Sequence, residues 1–372
     1  LAITRDDVLK ALSTVTVDRD GTTLPGSGRL SQVVIDAGNR VMFSISVDPS
    51  EAERFEPVRR EAEGRVLGLP GVSSVLASLT SERGPNAPGP NATGPGAAPV
   101  PPRQGNSLPG VRHIVAVASG KGGVGKSTTA CNLALALRAQ GLKVGLLDAD
   151  IYGPSVPKLL GLSGKPRVIE GRVLEPMEAY GLKAMSIGFL IEPESAMIWR
   201  GPMVQSAITQ MLRDVAWGDL DVLVVDMPPG TGDAQLTMAQ ATPLSGAVIV
   251  STPQDLALID ARRGVTMFRK VSVPILGVIE NMATFICPHC GTASAIFGHG
   301  GARQEAERLE VPFLGEIPLT MAIRETSDAG RPVVATDPDG PQAKVYRAIA
   351  DKLWGNLNGA PAGRAAPKIV IE

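Results

Sequence analysis

Cysteine is scarce: Cys131, Cys287 and Cys290 are the only three, too few and too unevenly spaced for a disulfide framework, which points to a reducing compartment. Aromatic residues make up 3% of the chain, so any core must be built from Val, Leu, Ile, Ala and Met. Neither sign of charge prevails. The 36 Lys plus Arg are balanced by 37 Asp plus Glu, leaving no overall field to draw in nucleic acid or an anionic membrane. No apolar run reaches the length of a spanning helix, and the opening LAITRDDVLKAL lacks a basic segment followed by an apolar one. These absences set the expectation of a soluble, cytoplasmic protein with no nucleic-acid and no membrane partner.

With 372 residues, 44% of them hydrophobic, the chain can bury a sizeable core and is too long for one typical domain. A Pro- and Gly-rich stretch at 84–110 reads as a linker. Before it, residues 1–83 read as a small α+β domain: helical spacing at 6–12 and 51–67, alternating strands at 30–35 and 40–47, and a further strand at 71–79. After it, residues 111–354 show the apolar runs HIVAVAS, KVGLLDAD, DVLVVDMP, GAVIVST, VPILGVIEN and VPFLGEIP, separated by helical stretches. Continuous apolar strands alternating with helices predict an α/β fold, a mostly parallel sheet covered on both faces, with ligands at the carboxyl ends of its strands. Residues 355–372, rich in Gly, Ala and Pro, read as a flexible tail.

The first run ends in GKGGVGKST, residues 120–128, and a helix pattern follows. Gly120, Gly125, Lys126 and Ser127 satisfy G-x-x-x-x-G-K-[ST] in the strand-to-helix setting that phosphate binding requires. The glycines let backbone N–H groups close around phosphate oxygens, and the helix N-terminus adds a favourable dipole. Lys126 is suited to neutralise the β- and γ-phosphates of ATP, and the Ser127 hydroxyl to ligate Mg²⁺. Gly122, Gly123, Val124 and Thr128 complete the loop, with Lys121 as a second lysine inside it.

Two acidic strand ends come next. Asp148 and Asp150 close KVGLLDAD; Asp150 is the candidate for positioning the attacking water and Asp148 for an Mg²⁺ or outer-shell role, against the alternative that both cap the next turn. Asp226 ends a buried strand in the position of the acid beside Mg²⁺. The loop after it, with Gly230, Gly232 and Asp233, is suited to sense the γ-phosphate, and Asp233 also reads as a helix N-cap. Asn281 ends another strand, where its amide could pair with a base edge or form a turn.

Cys287 and Cys290 stand in C-x-x-C spacing, half of a tetrahedral sulfur site for zinc or an iron-sulfur cluster. The chain holds no second such pair, so two copies of this one across a dimer axis would complete four thiolates. The alternatives are a zinc knuckle using His289 or His299 and a redox pair.

The loop KGGVGKS resembles the deviant Walker A loop of the MinD, ParA, ArsA and nitrogenase iron-protein class, whose signature lysine reaches the partner's nucleotide. That resemblance implies that Lys121 acts in trans, that Asn281 contacts adenine and that the working unit is a homodimer. Together with DADIYGPS, WRGPMV, WGDLDVLVVDMPPGTGD, STPQDLALIDARRG, GVIENMATFICPHCG and IPLTMAIRETSDAGRPV, the loop is similar to the Mrp/ApbC family of iron-sulfur cluster carrier ATPases over about 113–353. The resemblance implies ATP and Mg²⁺ binding, slow hydrolysis, and a 4Fe-4S cluster shared between subunits through Cys287 and Cys290. It further implies transfer to apo-proteins and contact with cluster scaffold proteins. Residues 1–83 resemble the small iron-sulfur-assembly domain fused ahead of such ATPases, although this segment contains no cysteine. A spatial switch of the MinD or ParA kind is the competing reading.

Overall fold

The computed structural model describes residues 3–18, 21–31, 33–35, 39–48, 51–80, 108–169, 173–191 and 201–359. Of the expected linker at 84–110, residues 84–107 lie outside the described residues, as does the tail beyond 359. Two compact units emerge: the described residues up to Thr80 together with 201–206, and the remainder from Leu108 onward.

The first unit begins with α1 (Arg5–Leu12), whose N-cap Thr4 and third residue Asp7 form a reciprocal capping box. Strand β1 (Val34–Ile35) pairs antiparallel with β2 (Arg40–Ser46), which runs parallel to β3 (Ser74–Thr80). Helix α2 (Ala52–Leu67) makes the crossover that a parallel pair requires. Val8, Leu12, Val41, Phe43, Ile45, Phe55 and Val66 close the core, so the α+β expectation holds in its elements.

In the second unit β4 (Val111–Ala118), α3 (Lys126–Ala139) and β5 (Val144–Asp148) lead to the short α4 (Val156–Leu160). A small hairpin of β6 (Val168–Ile169) and β7 (Val173–Leu174) precedes β8 (Met177–Ala179) and β9 (Leu182–Ser186). Then come α5 (Gly201–Arg213), of which residues 207–213 belong to this unit, β10 (Leu220–Asp226), α6 (Asp233–Ala241), β11 (Gly246–Ser251) and α7 (Asp255–Lys270). The chain continues through β12 (Ile275–Ile286), β13 (Ala293–Ser294), α8 (Gly301–Arg308) and β14 (Phe313–Leu319). It closes with α9 (Met321–Asp328), α10 (Val333–Thr336) and α11 (Pro341–Gly359).

The nine-stranded sheet runs β13-β12-β11-β4-β10-β5-β9-β8, with β14 also paired to β12. All pairings are parallel except those of β8 with β9 and β13 with β12. The six expected strands are all present. Strand β9 is an addition to them, because LKAMS mixes a lysine and a serine into a short run that carries no continuous apolar signal. Strand β12 runs five residues past the expected end at Asn281, and α11 continues through Gly359 instead of stopping at 354. Within that extension Asn356 Nδ2 donates to Leu276 O at 2.8 Å and Leu357 is buried, so residues 355–359 belong to the sheet unit.

Helix α3 is buried over nearly its whole length because it lies on the sheet beneath α11; Leu133 and Leu137 share its core with Val115, Leu146, Tyr346 and Leu353. A helix so enclosed fixes where the loop at its N-terminus ends. Leu133→Ala is expected to cost about 2–5 kcal/mol, measurable as a drop in denaturant midpoint, because a site packed on all sides collapses poorly around a cavity.

Candidate nucleotide and thiol site

Strand β4 hands over to α3 through the loop 119–125, and two features dictate glycine there. Gly123 and Gly125 sit at φ 81° and 77°, the left-handed region, with Gly125 as the N-cap of α3. A Cβ on Gly125 would collide with Asn281 Nδ2, and one on Gly120 with the backbone of Asp260. Gly122 and Gly123, by contrast, face open space. The loop is therefore pinned on two flanks and open where a phosphate would enter. Ser119 Oγ donates to Lys121 O at 2.9 Å, while Val124 is buried. Thr128 lies half-buried in the first turn, its carbonyl accepting from Asn132 Nδ2 at 2.9 Å.

Lys126 Nζ lies 2.6 Å from Asp226 Oδ1 and 3.1 Å from Ser127 Oγ, with Lys126 only 6% exposed and Asp226 fully buried. Burial pushes the Asp226 carboxyl above its ordinary range, and Lys126 and Ser127 oppose that shift. Its second oxygen, Oδ2, is buried without a hydrogen-bond partner. An unsatisfied carboxylate oxygen beside the Ser127 hydroxyl is a donor set suited to a hydrated Mg²⁺, whose hard, oxygen-seeking character matches both groups. The open glycine loop and Lys126 fit a nucleotide's phosphates in the same way.

Asp148, expected in an Mg²⁺ or outer-shell role or as a cap of the next turn, has both oxygens engaged by hydrogen bonds. Its Oδ2 accepts from Ser155 N (2.9 Å), Val156 N (3.0 Å) and Ser186 Oγ (3.0 Å), and its Oδ1 from Asp150 N (3.2 Å). It thus ties β5 to the turn before α4 and to β9, which is the turn-capping alternative. Burial, reinforced by the Asp226 charge, pushes its carboxyl up to about 7. Asp150 is half-buried with its carboxyl raised, first by burial, and Lys126 counteracts. Ser186 is not legible in the sequence, because the strand carrying it is not. Its one signal is a serine at a strand end, too common to stand out.

The loop after β10 is laced to the phosphate loop: Met227 N donates to Val117 O at 3.0 Å and Gly230 N to Ser119 O at 3.0 Å. Gly230 holds φ 96°. Helix α6 starts at Asp233, with Gly232 as its N-cap, so Asp233 occupies the first helical position and not the cap itself.

Asn281 is 8% exposed, and its Nδ2 donates to Val124 O at 2.8 Å. The amide supports the phosphate loop from below, a contact that neither the base-edge nor the turn reading of Asn281 contains. One residue earlier, Glu280 is fully buried and accepts from Gly300 N (2.9 Å) and Ala302 N (2.7 Å), capping α8. Its signal is legible as the single charge inside an apolar strand. At the far end of β12, residues 287–292 form a tight turn into β13: Cys287 N donates to Thr292 O at 3.0 Å and Gly291 N to Cys287 O at 2.9 Å. Cys287 is half-buried and Cys290 exposed, its Sγ 3.2 Å from Thr292 Oγ1. The Thr292 hydroxyl, with lesser help from its backbone and from Cys287, lowers the Cys290 thiol below its ordinary range. His289 is exposed in this turn, while His299 Nε2 sits 3.0 Å from Glu316 Oε2. Cys131 is buried in α3, and burial pushes its thiol far up.

A parallel sheet with a glycine loop, a lysine and two buried strand-end acids at its carboxyl edge defines a P-loop nucleoside triphosphatase. Residues 110–354 match the NUBPL iron-transfer P-loop NTPase family and residues 5–77 an iron-sulfur cluster assembly protein domain, and the chain belongs to that P-loop family. It is 57% identical over 251 residues to the Arabidopsis thaliana iron-sulfur protein required for NADH dehydrogenase, mitochondrial, covering 67% of this chain and 80% of that one. It is 53% identical over 249 residues to the iron-sulfur cluster carrier protein of Escherichia coli, covering 67% and 68%. Among solved structures it is similar to the Archaeoglobus fulgidus nucleotide-binding protein in complex with ADP: TM-score 0.56, 43% identity, 63% of this chain and 91% of that one. The Pyrococcus furiosus cell division ATPase MinD shares the fold at TM-score 0.51 and 23% identity, over 65% and 98%. Among the described residues, no helix is long and apolar enough to cross a membrane.

This geometry has two measurable consequences. Lys126→Ala strands the buried Asp226, so the variant is expected to lose about 3–5 kcal/mol of stability to chemical denaturation in addition to its nucleotide affinity; Lys126→Ala/Asp226→Asn should recover much of the stability and none of the affinity. In alkylation at pH 7 followed by peptide mass spectrometry, Cys290 should react first and Cys131 last. Thr292→Val should slow Cys290, because less of that thiol is then ionised.

Proposed function

We propose that the chain is an ATP-dependent carrier that holds a 4Fe-4S cluster between two copies of itself and delivers it to apo-proteins. The observation that carries this reading is the hairpin of Cys287 and Cys290, partly to fully open to solvent, at the end of a strand that also supports the phosphate loop. A cluster normally needs four thiolates, each chain offers two accessible ones, and Cys131 is enclosed in α3. A second copy supplies the missing pair. The names borne by the Arabidopsis and Escherichia coli relatives, an iron-sulfur protein and a cluster carrier, support the same cargo.

In this reading Gly120 to Thr128 bind the phosphates, Lys126 neutralises their charge, and Ser127 with the free oxygen of Asp226 holds Mg²⁺ through its water shell. Asp150 orients the attacking water, and Lys121 reaches the partner's nucleotide. Asp148 serves as the anchor of the Asp150 loop, Asp233 responds to the state of the γ-phosphate, and Asn281 accepts the adenine edge on its oxygen while its amide hydrogens stay on the loop. Hydrolysis is slow and gates loading or transfer, with cluster scaffold proteins upstream and apo-proteins downstream. The working compartment is reducing; the cytoplasm fits, while one relative is named as mitochondrial.

Anaerobic reconstitution with iron and sulfide tests the reading. About four irons and four sulfides per dimer are expected, lost in Cys287→Ala/Cys290→Ala. Zinc alone, or no metal, would sink the carrier reading and favour a spatial switch.

A further inference from the structure

Strand β12 is not uniform along its length. Up to Glu280 it is held on both flanks: Ser251 of β11 pairs with Glu280, Glu316 of β14 pairs with Glu280, and the Glu280 carboxylate is bound to the start of α8. Asn281 pairs with Ile317, but the next pairing to β14 is Phe285 with Leu319, so four steps along β12 are set against two along β14. Within this bulge Met282 adopts φ 58°, a left-handed conformation that a long side chain disfavours and that persists only where the surroundings impose it. Beyond the bulge, β12 pairs with the short β13 and enters the Cys287 turn.

Of the two residues at the start of the bulge, Asn281 bonds to the phosphate loop and Met282 lies beside it. Asn281 Nδ2 is bonded to Val124 O, and it fills the space that a Cβ on Gly125 would occupy. Met282 Cε lies 3.7 Å from that same Cβ position. The loop that closes on phosphate and the backbone that aims the cysteine turn are therefore joined through two consecutive residues. A bulge bends its strand and so re-aims the residues beyond it, here the cysteine turn.

Resting on the carrier reading, we propose that Asn281 and Met282 are positioning residues: the occupant of the phosphate loop sets, through them and the bulge they open, where β12 delivers Cys287 and Cys290. A shift of Val124 and Gly125 around a bound triphosphate pulls on Asn281. Glu280 cannot move with it, because α8 and two strands hold it. The displacement is taken up at Met282 and passed to the hairpin, whose turn carries the exposed Cys290. This route is separate from the loop between Asp226 and Asp233 and leaves the pairings of β12 up to Glu280 unchanged.

The test uses the full chain without cluster, measuring alkylation rates of Cys287 and Cys290 by peptide mass spectrometry with no nucleotide, Mg-ADP or a non-hydrolysable Mg-ATP analogue. Wild type should show a difference of about threefold or more between nucleotide states at one or both thiols. Met282→Gly relieves the left-handed strain and removes the side-chain contact. It should bind the analogue within about twofold of wild type while losing that difference, and Met282→Leu, which keeps an apolar contact, should retain it. Rates in wild type that ignore nucleotide, or a Met282→Gly variant with the full difference, would overturn the link. Hydrogen exchange at wild-type amides 283–286 needs no variant: a nucleotide-dependent change supports the link, and its absence rejects it. Because no cluster is present, the outcome separates from reconstitution. Responsive thiols in a chain that takes no cluster sink the carrier reading alone, and inert thiols in a chain that takes one sink this inference alone.

Discussion

The ion pair of Lys126 and Asp226 is the contact around which the catalytic edge is organised. A lysine and a carboxylate this deeply buried bear a large desolvation penalty, which is offset only if each keeps the other, and their removal from water is enforced by α3 lying between the sheet and α11. The pair joins the end of β10 to the first turn of α3, so the phosphate loop is fastened at both ends: β4 delivers it and β10 holds its lysine. One oxygen of Asp226 remains unsatisfied, a cost that a hydrated cation would remove. Stability and binding are thus opposed at one atom, as expected where a site is prepared for a ligand.

From that edge the acids diverge in role although they look alike in the chain. Asp226 keeps a free oxygen; Asp148, with both oxygens taken up by hydrogen bonds, has none, and works as the anchor that shapes the Asp150 turn. The difference lies in what surrounds each carboxylate. Likewise Cys131 and Cys290 share a side chain but not a chemistry: one is enclosed among aliphatic residues and kept protonated, the other is exposed beside a hydroxyl that favours its thiolate.

Strand β12 brings the two halves of the proposed function together. Glu280, Asn281, Met282 and Cys287 succeed one another along or just beyond a single strand, yet they meet an anchoring helix, the phosphate loop, a backbone bulge and solvent in turn. The strained Met282, set in the bulge where β12 and β14 lose register, is the kind of local violation that a fold tolerates at functional sites.

Much of this was readable in the chain alone. Apolar runs alternating with helical spacing determined the parallel sheet, because a strand buried on both faces has no polar alternation to show. The loop 120–128 announced a P-loop, since its glycines, lysine and hydroxyl are needed at fixed offsets from a helix start, and the spacing of Cys287 and Cys290 announced two thiols on one turn. Other features depended on contacts between residues far apart in sequence. That Asp148 is consumed by Ser155, Val156 and Ser186, that Asn281 lies under Val124, and that α11 runs on to Gly359 against Leu276 are decided by tertiary packing. Spacing along the chain fixes which groups can meet locally; which partner claims a buried hydrogen-bonding group depends on what the fold sets beside it.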